Sequence, residues 1–169
     1  AVINYAIRPE QSGDEAAIHD LVRRAFEPMW FSDGSEPDLV DALRAAGDLA
    51  LSLVAVTAQG GVIGHIGFSP VTIDQRECGW FQMAPVSVLP ELQLKGIGSA
   101  LIAAGIAAMR RVGARGVAVV GNPAYYERFG FRTIPGLSPL ADHDAQYFRA
   151  QDFDAAPPSG VLRYAPAFG

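Results

Sequence analysis

Apolar and polar residues recur along this chain with two different periods, and the changes between them divide it into predicted strands and helices. A period of two, or a short run rich in β-branched residues, predicts strands over residues 2–8, 49–57, 62–73, 78–88, 116–120, 144–153 and 160–164. A period near 3.6 predicts helices capped by Asp14 and Ser35, and further helices over residues 97–112 and 122–129. A glycine-rich turn at residues 59–61 joins the second and third strands as a hairpin.

The order of these elements, β-α-α-β-β-β-α-β-α-β-β, predicts an α/β (α+β) fold. Hairpins surround one central strand–helix–strand unit, so we expect a mixed sheet with helices packed on it. The 169 residues contain no internal repeat, low-complexity tract or linker. A chain of this length can bury a normal core, which predicts a single domain over residues 1–169.

The end of the predicted fourth strand and the helix that follows carry the strongest functional signal. Pro85 cannot donate to a sheet ladder, so the strand must bulge or splay near Val86. Gly96 and Gly98 then open the helix, and without a Cβ they let a ligand approach the backbone. The free N–H groups and the dipole of a helix start favour an anion. Residues 93–100 are therefore predicted to hold a phosphate-bearing cofactor.

Charge is distributed unevenly in a way that agrees with an anionic cofactor. The chain carries a net charge of −5, but residues 91–132 alone carry +4, which leaves −9 for the remainder. Scattered solvated charges would give the same totals, so this reading stays open. An acidic chain without a basic run is a poor candidate for binding nucleic acid.

Several other classes are disfavoured by the sequence. Cys78 is the only cysteine, which excludes an internal disulfide and fits a reducing compartment. No signal peptide or membrane-spanning run is recognised, so we expect a cytoplasmic protein that does not bind membranes. The three histidines have no metal-ligand spacing, and no metal is expected. Cys78 has no basic neighbour, which favours a buried thiol over a nucleophile.

Comparison of the glycine turn with known phosphate-binding loops leaves one match. The P-loop pattern fails because Lys95 precedes Gly96, and the dinucleotide-binding fingerprint fails because its third glycine is Leu101. Residues 93–98 match the pattern Q/R-x-x-G-x-G/A, which is weak alone. Together with the proline-broken strand before it, and with Asn122 and a Tyr-x-x-x-Gly-Phe segment after it, the chain resembles the GNAT superfamily of acetyl-CoA-dependent N-acyltransferases. The resemblance covers nearly the whole chain and is greatest to a bacterial subgroup of predicted acetyltransferases.

That resemblance implies a mostly antiparallel sheet splayed at the fourth strand, about four flanking helices, and acetyl-CoA as co-substrate. Backbone N–H groups around the glycine turn would hold the CoA pyrophosphate, and the splayed strand would pair with the pantetheine arm and polarise the thioester carbonyl. The cofactor-binding residues implied in this way are Val86, Ser87, Val88, Gln93, Leu94, Lys95, Gly96, Ile97, Gly98, Ser99, Asn122 and Tyr126. The family commonly spaces Asn and Tyr by seven residues, whereas Asn122 and Tyr126 are four apart, so the Asn122 contact is the less secure of the two.

The resemblance also assigns a general acid, because the family places its acidic tyrosine at the position of Tyr126. A phenol with an ordinary pKa of about 10 can protonate the leaving CoA thiolate. A tyrosine that merely packs on the sheet is the alternative. No general base is evident: His65, Glu77 and Ser87 are candidates, and water is a further option.

The predicted reaction is transfer of acetyl to a primary amine of a small molecule or of a protein or peptide, by direct attack in a ternary complex. The rival hypothesis is a non-catalytic CoA-binding sensor or interaction module of the same fold. The acceptor would lie near Trp30, Phe31 and Asp33, where aromatic and acidic groups suit an amine with an apolar body. The same aromatic residues would suit a homodimer interface.

Overall fold

The computed structural model describes residues 3–169, so Val2, the first residue of the predicted strand 2–8, lies outside the described residues. Eight strands are found: β1 (Tyr5–Pro9), β2 (Leu51–Thr57), β3 (Val62–Ile73), β4 (Arg76–Val88), β5 (Gly116–Val120), β6 (Leu137–Pro139), β7 (Phe148–Asp152) and β8 (Gly160–Arg163). The four α-helices are α1 (Glu15–Phe26), α2 (Glu36–Ala45), α3 (Ile97–Arg111) and α4 (Pro123–Glu127). Short 3-10 turns cover Pro90–Leu92, Asp142–Tyr147 and Pro166–Phe168. The mixed, mostly antiparallel sheet and the four helices agree with the predicted fold class.

The chain packs into two compact units that alternate along the sequence. The first comprises residues 1–68 and 85–105, and the second comprises residues 69–84 and 106–169. The elements β3, β4 and α3 each run through both units. The single domain over residues 1–169 stays a prediction.

In the first unit, β1, β2 and β3 form an antiparallel sheet with helices on both faces. On one face, Val54 of β2 is buried against residues of α1 and α2, among them Ile18 and Val40. On the other face α3 lies very close to β3, because a Cβ placed on Gly64 would come within 2.9 Å of Leu101 Cδ1. Close approach of a helix is therefore the reason for a glycine inside this strand.

In the second unit, the sheet order is β3-β4-β5-β7, with β8 pairing with both β3 and β6. β5 is parallel to β4 and antiparallel to β7, and β6 is parallel to β8. The buried core of this unit is Val71, Ile73, Trp80, Ala118, Ile134, Leu137, Phe148, Ala150 and Leu162.

Two parts of the predicted secondary structure were wrong. The strand predicted over 144–153 begins only at Phe148, because Asp142–Tyr147 forms a 3-10 turn that ends where main-chain pairing with β5 starts. The strand β6 was not predicted, since its three residues include a proline and are too few to show a period.

The predicted helix caps also differ from those observed. Asp14 stands at the N-cap of α1, but its carboxylate accepts hydrogen bonds from the Arg8 guanidinium at 2.7 Å and from the Gln11 main-chain N–H at 2.7 Å. Ser35 makes no side-chain cap bond at the start of α2. Instead, its N–H and hydroxyl both donate to the carboxylate of Asp33.

Candidate functional site

Strand β4 loses its partner on one side before it ends. Its parallel pairing with β5 stops at Gln82 and Ala118, although β4 continues to Val88. Pro85 lies in the stretch without this pairing and has no N–H to offer. This agrees with the predicted splay near Val86, which leaves main-chain groups of β4 available to a ligand.

The segment between β4 and α3 is held in place by its own side chain and backbone. The Gln93 amide nitrogen donates to the carbonyl of Val88 at 3.3 Å, and the N–H of Leu92 donates to the carbonyl of Leu89 at 2.9 Å. Gln93 therefore ties the loop to the end of β4. This contact gives the first residue of the Q-x-x-G-x-G pattern a positioning role in the protein itself.

Two residues of this loop adopt the left-handed backbone conformation. Gly96 has φ +87° and open space where a Cβ would be, while Leu94 has φ +63° with its side chain fully exposed. An exposed leucine in this region is unfavourable for both backbone and solvation, and such strain clusters at ligand sites. The left-handed backbone at Leu94 and Gly96 therefore agrees with the prediction of a ligand site at this loop.

The start of α3 presents main-chain donors. The first bond into the helix runs from the Ala100 N–H to the Gly96 carbonyl at 3.0 Å, so the N–H groups of residues 97–99 have no partner inside the helix. Lys95 is exposed immediately before them. Donors, dipole and a lysine at one helix start form a site for an anion.

Tyr126 lies in α4 with its ring against the backbone of Gly121, the residue after β5. A Cβ on Gly121 would come within 2.5 Å of the ring, which requires glycine there. The ring also makes edge-on contacts with Tyr125 and Phe131, at centroid distances of 5.1 and 6.1 Å. Burial, with a smaller effect from Tyr125, raises the pKa of Tyr126 to about 12. The phenol therefore keeps its proton at neutral pH, which is the state that a general acid needs.

Asn122 caps α4, because its side-chain oxygen accepts from the N–H of Ala124 at 3.1 Å. The predicted helix over 122–129 is in fact only five residues long. The capping bond uses the oxygen of the amide, so only the amide nitrogen would be free to contact a cofactor.

His65 is fully buried in β3 on the face covered by α1 and α2, since its cross-strand partner is Val54. Its Nε2 lies 2.8 Å from Ser52 Oγ, and Ser52 Oγ donates to Glu10 Oε1 at 2.7 Å. The Glu10 carboxylate in turn receives two bonds from the Arg44 guanidinium, both of 2.9 Å. We call His65, Ser52, Glu10 and Arg44 the buried polar chain.

The pKa values of the buried polar chain follow from its environment. Burial lowers the pKa of His65 to about 4, with opposing effects from the charges of Glu10 and Arg44. For Glu10, burial alone would raise the pKa, but the hydrogen bonds from Arg44 and Ser52 outweigh burial and lower it. At neutral pH the imidazole is therefore neutral and the carboxylate ionised.

Comparison with known proteins agrees with this geometry. A sequence model described as an acetyltransferase (GNAT) domain matches residues 50–133. YhbS of Escherichia coli K12, named as an uncharacterized N-acetyltransferase, is 39% identical over 125 residues, covering 74% of this chain and 72% of that protein. The crystal structure of a GNAT family acetyltransferase from Brucella melitensis in complex with acetyl-CoA is 42% identical, covers 99% of this chain and all of that one, and superposes with a TM-score of 0.88. The chain belongs to the GNAT family of acetyltransferases.

One further relative and a crystal structure of YhbS support the same placement in the GNAT family. YjhQ of Escherichia coli K12, also named as an uncharacterized N-acetyltransferase, is 36% identical over 139 residues, covering 80% of this chain and 74% of that protein. The structure of Escherichia coli YhbS in complex with CoA is 29% identical, covers 99% of this chain and 93% of that one, and has a TM-score of 0.91. Similar GNAT structures thus bind acetyl-CoA or CoA.

Glu77 is exposed near the hairpin end of β4, where it lines a cavity with Asp74 and Cys78. It belongs to the second of the two units, whereas Val88, at the other end of the same strand, belongs to the first. The role of Glu77 as a base stays a prediction.

The predicted acceptor residues lie together between α1 and α2. Trp30 and Phe31 are 93% and 61% exposed and contact each other edge-on, with ring centroids 5.8 Å apart. Exposed apolar patches are common at interaction sites, and the acceptor role of this pair stays a prediction. The Asp33 carboxylate, by contrast, already accepts hydrogen bonds from Ser35, and these bonds lower the pKa of Asp33. The aromatic pair is therefore the stronger acceptor candidate.

The described residues contain one group with metal-ligand geometry and no membrane-spanning helix. Ligand atoms of His19, Asp38 and Asp41 lie within 4.8 Å of one another. His19 Nδ1 is already bonded to Asp41 at 2.7 Å, and partly exposed acidic groups often cluster in this way without a metal. No described helix is long and apolar enough to cross a bilayer.

Sequence reasoning missed most of the buried polar chain. Glu10, Arg44 and Ser52 belong to the end of β1, to α2 and to β2, and neither their spacing nor their type distinguishes them from other surface residues. The only available signal was a histidine inside an apolar strand, which singled out His65 but not its partners.

Proposed function

We propose that this GNAT protein transfers an acetyl group from acetyl-CoA to a primary amine by direct attack in a ternary complex. The observation that carries the proposal is the segment from β4 to α3. It combines a strand end without its β5 partner, a strained loop with an open Gly96, and free donors at a helix start. These features suit the thioester, the pantetheine arm and the pyrophosphate of one cofactor.

In this proposal the cofactor binds along residues 86–99. Main-chain groups of Val86, Ser87 and Val88 pair with pantetheine, and one N–H polarises the thioester carbonyl. The N–H groups before Ala100 bind the pyrophosphate, with Lys95 beside them.

The reaction must also move protons. The C–N bond forms, the C–S bond breaks, and an ammonium acceptor loses two protons in all. Tyr126, whose phenol is protonated at neutral pH, supplies a proton to the CoA sulfur as it leaves. The exposed pair Trp30 and Phe31 suits an acceptor with an apolar or aromatic body.

A thiol-release assay tests this function. The protein is incubated with acetyl-CoA and a panel of phenethylamine, spermidine, glucosamine and a lysine-containing peptide, and free CoA thiol is measured. We expect release above background with at least one amine. Tight CoA binding without release for any amine would favour the alternative, a non-catalytic CoA-binding module.

Tyr126→Phe tests the acid role. Loss of the phenolic hydroxyl should lower kcat by ~10²–10⁴-fold, a larger effect than on CoA affinity, because the aromatic ring stays in place. Tyr125→Phe is the matched control, because it removes a hydroxyl from the neighbouring ring of the same helix. Equal rates for Tyr126→Phe and the wild type would remove Tyr126 from the mechanism.

A further inference from the structure

The loop between α1 and α2 exposes two aromatic rings although hydrogen bonds hold its backbone in place. The N–H of Ser32 donates to the Met29 carbonyl at 3.1 Å. The hydroxyl of Ser32 donates to Glu36 Oε1 at 2.6 Å, which ties the loop to the first turn of α2. Trp30 and Phe31 therefore face solvent from a hydrogen-bonded loop rather than from a free stretch of chain.

The charged groups around these rings are all acidic. Residues 25–43 contain no lysine, arginine or histidine and five carboxylates, those of Glu27, Asp33, Glu36, Asp38 and Asp41. The carboxylates at positions 27 and 41 pair with Arg23 and Arg44. The other three, at positions 33, 36 and 38, form no ion pair within the part of the chain that the structure describes. The loop thus surrounds its aromatic pair with uncompensated negative charge.

This combination suits a macromolecule better than a small amine. Sites for small ligands are concave and bury most of the ligand, whereas Trp30 is 93% exposed. Exposed aromatic residues are enriched where proteins bind other proteins. The cationic side chains of lysine and arginine also stack on aromatic faces. A polypeptide segment rich in lysine and arginine therefore complements both the rings and the carboxylates.

The same loop starts next to the segment that joins β4 to α3. Arg24, in the last turn of α1, contacts Glu91 of the 3-10 turn Pro90–Leu92, with 3.3 Å between Nη2 and Oε1. Gln93 follows that turn directly and begins the glycine pattern. A polypeptide that docks on the α1–α2 loop is thereby brought to the side of the protein where we propose that the cofactor binds.

We propose that the α1–α2 loop is a docking surface for a basic polypeptide segment. Trp30 and Phe31 pack against its side chains, and the carboxylates of Asp33, Glu36 and Asp38 attract its lysines and arginines. The inference deepens the proposed function and rests on it in one respect, namely that the docked polypeptide carries the acceptor amine on a lysine. Spermidine, which shares the positive charge but has no polypeptide, is the comparison ligand.

Trp30 itself reports binding, because the only other tryptophan, Trp80, is 3% exposed. The probes are a peptide with arginine and leucine on either side of a lysine, and a matched peptide with glutamate in place of each arginine. At low salt the basic peptide should reduce acrylamide quenching of the protein's fluorescence. This protection should fade towards about 1 M salt, where the Debye length falls to about 3 Å. Trp30→Phe should remove the quenchable signal. Equal quenching with the basic peptide, the acidic peptide and no peptide overturns the proposal.

Kinetics of a charge variant test the carboxylates. The triple variant Asp33→Asn, Glu36→Gln, Asp38→Asn removes three charges, while its amide oxygens can still accept the hydrogen bonds from Ser32 and Ser35. With acetyl-CoA and wild-type protein at low salt, we expect kcat/KM to be at least about tenfold higher for the basic peptide than for the acidic one. In the triple variant the two values should become equal. A preference that survives in the triple variant overturns the role of these carboxylates.

Truncation of the exposed indole tests the aromatic part of the surface. Trp30→Ala should lower kcat/KM for the basic peptide by about tenfold, as expected for an aromatic anchor. Val112→Ala is the control, because Val112 is another exposed apolar residue, directly after α3, and its loss should leave kcat/KM unchanged. Equal rates for the two variants overturn the proposal.

The outcomes separate this proposal from the acetyltransferase function. Thiol release without preference for the basic peptide, or faster release with spermidine, overturns the docking surface and leaves the function intact. Protection of Trp30 by the basic peptide without thiol release for any amine overturns the function and leaves the docking surface. Absence of both overturns both.

Discussion

The glycine loop before α3 and the buried polar chain are built in opposite ways. The loop is contiguous, exposed and made of backbone, with its shape set by Leu94 and Gly96 in the left-handed region. The buried polar chain joins side chains from four separate elements or element ends, over sequence separations of 13 to 42 residues. A backbone site tolerates many side chains, whereas a side-chain network requires each member.

This difference predicts different responses to mutation. Changes in the loop should alter cofactor binding and leave stability nearly intact, because the loop buries little. Changes in the buried polar chain should alter stability and pH dependence, because each lost partner leaves a buried polar group unsatisfied.

The largest expected effect is on the pH dependence of folding stability. The pKa of His65 is about 4 in the folded protein, against an ordinary 6.5. Between these values the unfolded chain binds more protons at this position, so the free energy of unfolding falls as pH is lowered. The contribution is complete above pH 6.5 and amounts to about 3 kcal/mol, lost progressively towards pH 4.

Urea denaturation at a series of pH values from 4 to 7.5 measures this slope. His65→Gln should remove most of it, since glutamine does not titrate. Glu10 and Asp14, whose pKa values are lowered, contribute acid sensitivity in both proteins, and mainly at the lower end of this range. Equal slopes in the wild type and His65→Gln would mean that His65 is not buried as the neutral form.

The same contrast explains how far sequence reasoning could reach. The backbone shape of this segment was predictable, because Pro85 and Gly96 act through local backbone geometry that neighbouring residues reveal. The hydrogen bond from Gln93 to the Val88 carbonyl could not be predicted, because a glutamine in this position can contact either a ligand or the protein itself. The partners of His65 could not be predicted either, because their proximity depends on strand register and helix packing.

The secondary-structure predictions also succeeded where the signal is local and failed where it depends on tertiary contacts. Long periodic elements such as α1, α3 and β3 were predicted within a few residues. The short strand β6 pairs with a distant segment rather than showing a pattern of its own, so only the tertiary structure reveals it.

A smaller stability change should follow from opening the ion pair at the end of the buried polar chain. The side chains of Arg44 and Glu10 are 23% and 16% exposed, so Arg44→Met leaves a mostly buried carboxylate without its two donors. We expect a loss of about 2 kcal/mol in the free energy of unfolding. The double variant with Glu10→Gln should recover part of it, as a double-mutant cycle would show.

The surface pair Arg23–Asp20 is the control for this experiment. Both side chains are about half exposed, at 51% and 55%, and Asp20→Asn should leave the unfolding transition unchanged. If Arg44→Met left the free energy of unfolding as unchanged as Asp20→Asn does, the Arg44–Glu10 pair would stabilise the fold no more than a solvated ion pair.

The smallest expected effect in free energy belongs to the loop, and the chain offers a matched pair of glycines to isolate it. Gly96 and Gly113 have φ of +87° and +85°, and each has open space where a Cβ would be. Alanine at either position should lower the free energy of unfolding by the same amount, about 1 kcal/mol, because its backbone must adopt the left-handed conformation. Only at position 96 would the added methyl stand where we propose that the cofactor approaches the backbone.

Calorimetric titration with CoA should therefore show affinity about tenfold weaker for Gly96→Ala, equivalent to about 1.4 kcal/mol, and unchanged for Gly113→Ala. Equal affinities for the two variants would show that the pyrophosphate does not rest on this turn, and would move the cofactor away from the start of α3.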